Sequence, residues 1–145
     1  EAAFAVIPLL VTFIPMLTDT GGNAGSQSST MIIRGMAVGE IEAGDILRVL
    51  WKELRVGVIV GVLLGLVNYV QLVVRFPGQE MLCLTVVLSL LATVMLAKTI
   101  GCVLPIVAQV LHLDPAIMAA PLITTIVDAV SLIIYFQLAC SLLKI

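Results

Sequence analysis

Charged residues are scarce in this sequence. Asp, Glu, Lys and Arg together make up 11% of its 145 residues, whereas an average protein carries about a quarter. Hydrophobic residues make up 61% and the mean hydropathy is +1.24, which excludes an ordinary soluble domain. The formal net charge is only −2. No basic patch with interleaved aromatic residues occurs, so we expect no nucleic-acid partner.

Histidine and cysteine are too sparse for the common metal and nucleophilic sites. The single histidine, His112, makes no metal site alone, and it lies far along the chain from the serines at residues 26–29, which disfavours a serine hydrolase. The glycine-rich stretch around those serines lacks the GK[ST] ending of a nucleotide-binding P-loop. The cysteines show no CxxC spacing, and we interpret all of them as small buried hydrophobic residues. They are Cys83, Cys102 and Cys140.

What the sequence does contain is apolar segments of membrane-spanning length. A hydrocarbon core of about 30 Å needs roughly 20 helical residues. Such segments cover residues 56–74, 81–111 and 116–143, and a shorter one covers residues 3–17. The period-2 alternation of a transmembrane β-barrel is absent. We therefore predict an all-α, polytopic transmembrane helical bundle with about four spans.

The first of these spans is expected to be interrupted. Pro8 and Pro15 lie within it, and residues 18–30 (TDTGGNAGSQSST) are polar and rich in glycine. Proline removes one backbone hydrogen bond from a helix and clashes with the preceding turn. We predict a helix broken at Pro15–Gly25, with a loop that lines a cavity, as in transport proteins. A solvated loop is the alternative.

The charged linker between the first two spans predicts the orientation of the chain. For residues 39–55 we expect an amphipathic helix at the membrane interface, with its charges on a solvated face and Asp45 capping its start. Basic residues are concentrated in residues 34–55, whereas the next loop has only Arg75. The positive-inside rule then places the 34–55 linker and the 111–115 loop in the cytoplasm and the C-terminus outside the cell membrane.

Two further patterns concern helix packing and an isolated charge. Gly57, Gly61 and Gly65 recur every fourth residue, a spacing that lets two helix backbones approach closely. Lys98 lies in the middle of the 81–111 segment. We favour a side chain that extends to the membrane interface, and pairing with a carboxylate is the alternative.

Asp128 is the one acidic residue in the 116–143 segment. A carboxylate near the middle of a membrane-spanning helix costs roughly 2.5 to 3.5 kcal/mol on insertion scales, so it should have a partner or face water. Thr124, Asp128, Ser131 and Tyr135 follow helical spacing and form a narrow polar stripe. We favour an ion-binding site on a permeation path. The alternative is an aspartate that only holds two helices together.

Two long motifs carry a family resemblance. The stretches TDTGGNAGSQSSTMIIRG and APLITTIVDAVSLIIYF are similar to the transmembrane domain of the MgtE family of magnesium channels, and the likeness covers essentially the whole chain. The resemblance implies five transmembrane helices, of which this sequence begins within the second. It also implies that residues 1–145 are the ion-conducting domain, and that the parent protein carries a cytosolic N-terminal domain and a CBS pair that are absent here.

The resemblance also implies where the ion is bound. Mg²⁺ prefers six oxygen ligands and gives up its water reluctantly, so outer-sphere contacts can hold the hydrated ion. A pore on the axis of a twofold homodimer would present Asp128 from both chains. The residues expected to help are polar and carbonyl groups of the last span and of the glycine-rich stretch: Pro121, Thr124, Thr125, Gly21, Gly22 and Asn23. Ala120 replaces an asparagine of some family members, which leaves Mn²⁺ and Ca²⁺ as alternative ions.

The function expected from these observations is passive movement of Mg²⁺, not enzymatic catalysis. A divalent ion that crosses the full field gains roughly 4.6 kcal/mol per 100 mV, and no ATP site is needed. A non-transporting membrane subunit with a structural Asp128 is the main alternative. An intramembrane aspartyl protease that uses Asp19 and Asp128 is a third, although Asp19 could equally cap the glycine-rich turn or attract cations.

Overall fold

The described part of the chain is almost entirely helical. The structure, a computed structural model, describes residues 8–118 and 120–144, and no β-strand occurs in either range. Its four long helices are α1 (Ile14–Ala37), α2 (Ile46–Arg75), α3 (Glu80–Val110) and α4 (Ala120–Leu143). Short 3-10 turns at Ala43–Asp45 and Pro115–Met118 precede α2 and α4. The expected all-α fold class is confirmed.

Three helical segments are long and apolar enough to cross a membrane: Ala43–Arg75, Glu80–Val110 and Pro121–Leu143. They agree with the expected multi-pass membrane protein. Helix α1 has 24 residues, about 36 Å at 1.5 Å per residue, but its middle is polar. A total of about four spans, which requires α1 to cross as well, stays a prediction.

The predicted break at Pro15–Gly25 is wrong. Helix α1 continues without interruption through the whole glycine-rich stretch. The helical path is interrupted earlier, at Phe13, which separates residues 8–12 from α1. Pro15 lies in the first turn of α1, where proline is tolerated because the N–H groups of that turn have no intrahelical partner. The proline therefore marks the start of a helix rather than a break within one.

Close packing explains why the glycine-rich stretch is helical despite the low helix propensity of glycine. A β-carbon added to Gly21 would lie 2.6 Å from Thr93 Cγ2 of α3. A β-carbon added to Gly101 of α3 would overlap the carbonyl oxygen of Gly25. The glycines thus let the backbones of α1 and α3 touch, and this tight packing between the two helices stabilises α1.

Helix α3 lies at the centre and packs against α1, α2 and α4. Helix α2 contacts it through Gly57, Gly61 and Gly65, as predicted from their spacing. At Gly61, a β-carbon would lie 2.5 Å from Leu91 Cδ1. Most other apolar side chains of α2 are exposed, as expected for a helix that faces lipid on its remaining sides.

The separate interfacial helix predicted at residues 39–55 is not observed. Residues 46–55 are instead the first part of α2, which continues into the membrane-spanning segment. Asp45 does not cap α2 with its side chain. Its carboxylate accepts a hydrogen bond from the backbone N–H of Glu42, at 3.0 Å, which closes the turn before the helix.

A buried ion pair links α2 and α3, and a serine of α1 is hydrogen-bonded to both of its members. The favoured expectation that Lys98 reaches the interface is wrong, as is the expectation that all linker charges are solvated, and the alternative pairing of Lys98 with a carboxylate is confirmed. Lys98 Nζ of α3 lies 3.2 Å from Glu53 Oε2 of α2, and the two side chains are 4% and 6% exposed. Ser28 of α1 donates to the same carboxylate oxygen at 2.5 Å and accepts from Lys98 at 3.1 Å. Burial of a charge without a partner is costly, so the side chains pair instead of extending separately to water.

Candidate cation site

Asp128 of α4 faces α1 across a cleft of about 390 Å³. The other lining residues come from one side of α1 and from the preceding turn of α4. They are Pro15, Thr18, Asp19, Gly22, Asn23 and Thr124. The cleft thus contains two carboxylates, two hydroxyls and one amide, all of which offer the oxygen ligands that Mg²⁺ and Ca²⁺ prefer.

Helical spacing accounts for the wall that α1 contributes. Pro15, Thr18, Asp19 and Gly22 lie at positions i, i+3, i+4 and i+7, which places them on one face of a helix. Sequence reasoning missed Pro15 and Thr18 because it assigned this stretch to a loop. The helical periodicity was present in the sequence and would have identified both.

Gly22 lets α1 lie close to Thr124 and to the Asp128 carboxylate of α4. A β-carbon at Gly22 would lie 3.1 Å from Thr124 Cγ2 and 3.8 Å from Asp128 Oδ1. Within the described residues, Asp128 Oδ1 is buried and has no hydrogen-bond partner. Buried polar atoms are nearly always hydrogen-bonded, and a carboxylate oxygen at membrane depth is an especially costly exception. This oxygen is therefore suited to a ligand from outside the chain.

Four of the seven predicted site residues line this cleft: Asp128, Thr124, Gly22 and Asn23. The hydroxyl groups of Thr124 and Thr125 both donate to the carbonyl oxygen of Pro121, at 3.0 and 2.9 Å. Both hydrogen bonds return to the backbone of the first turn of α4, to which Pro121 belongs. Pro121 thus lies in the first turn of α4 and does not interrupt the helix.

The remaining predicted residues, Thr125, Pro121 and Gly21, are not among those that line the cleft. Thr125 is exposed, and its hydroxyl is turned to the backbone of its own helix. Gly21 is buried, and a β-carbon there would meet Thr93 and Val127. Direct roles for these three in ion binding stay predictions.

Asp19 shares the cleft with Asp128 and is exposed. The alternative in which Asp19 caps a glycine-rich turn is wrong, because Asp19 lies inside α1. Thr18, its neighbour, donates to the carbonyl oxygens of Ile14 and Pro15 at 3.1 and 3.3 Å. Asp19 therefore adds a second negative charge to the cleft, where it can attract a cation.

The polar stripe of α4 continues beyond the cleft towards the C-terminal end of the helix. Ser131 is fully buried, and neither its hydroxyl nor that of Thr93 has a hydrogen-bond partner among the described residues. The hydroxyl of Tyr135 donates to the carbonyl oxygen of Leu10 at 2.8 Å. The C-terminal end of the stripe thus fixes α4 to the segment before α1, and its N-terminal end lines the cleft.

No group of three or more metal-ligating side chains (His, Cys, Asp or Glu) occurs in residues 8–118 and 120–144. One chain thus supplies only two carboxylates to the cleft. A bare divalent ion would lack ligands there, whereas an ion that keeps its own water needs fewer protein oxygens.

Comparison with known proteins gives a consistent result. The family model for MgtE, described as a divalent cation transporter, matches residues 14–138. The magnesium transporter MgtE of Thermus thermophilus is 35% identical over 99% of this chain, and that of Bacillus subtilis is 33% identical over 96%. The Enterococcus faecalis protein of the same name is 28% identical over 99%. The chain spans 31% to 32% of the length of these relatives.

The match includes both motifs on which the resemblance was based, and α1 and α4, which carry those motifs, form the two walls of the cleft. The family consists of transporters, in agreement with the expectation that the chain is not an enzyme. The chain belongs to the MgtE family of divalent cation transporters.

Proposed function

We propose that this chain conducts Mg²⁺ across a membrane and that Asp128 binds the ion on its path. The observation that carries the proposal is the buried oxygen Oδ1 of Asp128, which has no partner among the described residues and lies beside a polar cleft. An aspartate that only joins two helices would be expected to bond to one of them. The helix-joining alternative, and with it the non-transporting subunit, is disfavoured for that reason.

The cleft has room for a hydrated ion. Six waters at about 30 Å³ each occupy about 180 Å³, which is less than half of the 390 Å³ of the cleft. Mg²⁺ loses water reluctantly, so we propose that the carboxylate of Asp128 contacts the water shell and that Thr124 and Asn23 accept hydrogen bonds from it. Selection for Mg²⁺ over Mn²⁺ and Ca²⁺ would then depend on the size of the hydrated ion.

A second copy of the chain would complete the site. Asp128 supplies one negative charge, which is poorly matched to a divalent ion, and twofold homodimers are the commonest protein oligomers. We propose that two Asp128 carboxylates face each other across a dimer axis. This arrangement accounts for the open side of the cleft and for the small number of carboxylates in one chain.

The driving force would be the membrane potential. A divalent ion that crosses the field gains roughly 4.6 kcal/mol per 100 mV, which is sufficient for passive inward flow. We propose insertion into the cell membrane with the 34–55 linker and the 111–115 loop in the cytoplasm. The relatives are about three times as long as the matched region, which leaves room for the cytosolic regulatory domains that the family resemblance implies.

The test is Mg²⁺ flux into proteoliposomes under an inside-negative potential, measured with the natural protein that carries this chain. Asp128→Asn keeps the size of the side chain and removes its charge. Glu80→Gln is the matched control, because Glu80 is an exposed carboxylate in the first turn of α3, away from the cleft. We expect flux to be lost in Asp128→Asn and retained in Glu80→Gln, with both variants folded and dimeric. Equal flux in the two variants would contradict the proposal.

A further inference from the structure

A second and larger cavity lies at the other end of α1. Its volume is about 680 Å³, and it is enclosed by the last turns of α1, the linker and the first turns of α2. We call it the basic pocket, because four cationic side chains line it: Arg34, Arg48, Lys52 and Arg55. It contains none of the residues that line the Asp128 cleft.

The acidic residues of the pocket neutralise these four cations only in part. In residues 8–118 and 120–144 the only ion pair joins Lys98 to Glu53. Glu53 also lines the basic pocket, but its charge is balanced by Lys98. Of the other two acidic lining residues, Asp45 accepts a hydrogen bond from the Glu42 N–H, and Glu40 is exposed. With Glu53 balanced by Lys98, four cations face two carboxylates, so the pocket carries an excess of positive charge.

The position of the pocket matches the headgroup region of a membrane. It lies where the membrane-spanning segment Ala43–Arg75 begins. Trp51, which also lines it, is 62% exposed, and the Arg55 guanidinium lies over its ring at 5.8 Å. Exposed tryptophan and arginine are typical of the membrane–water interface.

The pocket also has an apolar side that continues onto the lipid-facing surface of α2. Ile32, Ile41 and Val49 line it, and Val56, which lies two turns after Val49 on the same face of α2, is 38% exposed. A ligand that fits both parts has an anionic head and an apolar tail. Basic pockets between transmembrane helices on the cytoplasmic side are suited to anionic lipid headgroups.

We propose that the basic pocket binds the headgroup of an anionic phospholipid, whose phosphate contacts the four cations and whose acyl chains lie against α2. A lipid bound there touches α1, the linker and α2 together, and it reaches Glu53 of the buried ion pair. It should therefore stabilise the contact between α1 and α2. The inference does not depend on the proposed ion path, because lipid binding is measured without flux.

The experiment uses native mass spectrometry of the purified natural protein in detergent, titrated with phosphatidylglycerol, phosphatidylcholine or inorganic phosphate. We expect phosphatidylglycerol to bind in preference to phosphatidylcholine. Each cation near an anionic lipid strengthens binding about fivefold, so the double variant Arg48→Gln/Lys52→Gln should bind about 25-fold more weakly. Arg75→Gln is the matched control, since Arg75 lies at the opposite end of α2, and it should bind as the unmodified protein does.

Several results would overturn the proposal. The first is equal binding of the two lipids, and the second is undiminished phosphatidylglycerol binding by the double variant. The third is a loss of phosphatidylglycerol binding in Arg75→Gln as large as that in the double variant. Inorganic phosphate that occupies the pocket as well as phosphatidylglycerol does would show that the ligand is a free anion. The charge-preserving variant Arg48→Lys/Lys52→Arg separates charge from folding: it should retain phosphatidylglycerol, and its failure to do so would contradict a site based on charge.

Discussion

Replacement of Lys98 by methionine should destabilise this protein strongly. In the native structure Lys98 Nζ lies 3.2 Å from Glu53 Oε2, and both side chains are almost completely buried. At an effective dielectric constant near 20, two unit charges at that distance attract each other by roughly 5 kcal/mol. Removal of one partner from such a pair typically costs about 3 to 5 kcal/mol, because the other charge stays buried without compensation. Within the described residues, the variant would leave the Glu53 carboxylate with the hydrogen bond from the Ser28 hydroxyl.

The assay is the free energy of unfolding in detergent, measured by denaturant titration of Lys98→Met and of the double variant Glu53→Gln/Lys98→Met. The double variant should recover to within about 1 kcal/mol of the natural protein, since neutral replacements of a buried pair are often tolerated. Lys52→Met is the matched control: Lys52 is exposed, so its loss should change stability by about 0.5 kcal/mol or less. A loss below about 1 kcal/mol for Lys98→Met, as for an exposed pair, would refute the reasoning.

Two glycine substitutions test the packing of α1. Gly101→Ala should lower the free energy of unfolding by about 1 to 3 kcal/mol or more, because the added methyl group overlaps the carbonyl oxygen of Gly25. Gly44→Ala is the control in the same unfolding assay, since a β-carbon at Gly44 has open space around it. Gly22→Ala should lower Mg²⁺ flux without unfolding the protein, because its methyl group would lie 3.8 Å from Asp128 Oδ1 and narrow the cleft; unchanged flux would argue against an ion path through this cleft.

The parts of the fold that local patterns determine could be predicted from the sequence. The lengths of the apolar segments identify α2, α3 and α4. The four-residue spacing of Gly57, Gly61 and Gly65 identifies the face of α2 that packs against another helix, although the structure is needed to show that this helix is α3. Asp128 stands out in the sequence because a carboxylate is rare and costly in an apolar helix, and helical spacing adds Thr124 to it. Each of these signals lies within a single helix.

The parts that depend on contacts between distant segments could not be predicted. Residues 18–30 have the composition of a loop, and the close packing of their glycines against α3 and α4, which favours a helix, is not visible in the sequence. Lys98 and Glu53 are 45 positions apart, and neither has a local pattern that indicates the other. Glu53 in particular resembles its charged neighbours in the linker, and only the tertiary structure distinguishes it as buried.

The backbone contact between Gly25 and Gly101 has a mechanical consequence. Side-chain contacts between helices can adjust when rotamers change, but here no side chain separates α1 from α3. The two helices are therefore at their closest possible approach at that level, and α1 cannot move further towards α3. A change in the width of the Asp128 cleft then requires a tilt of α1 about this contact, a separation of α1 from α3, or a displacement of α4.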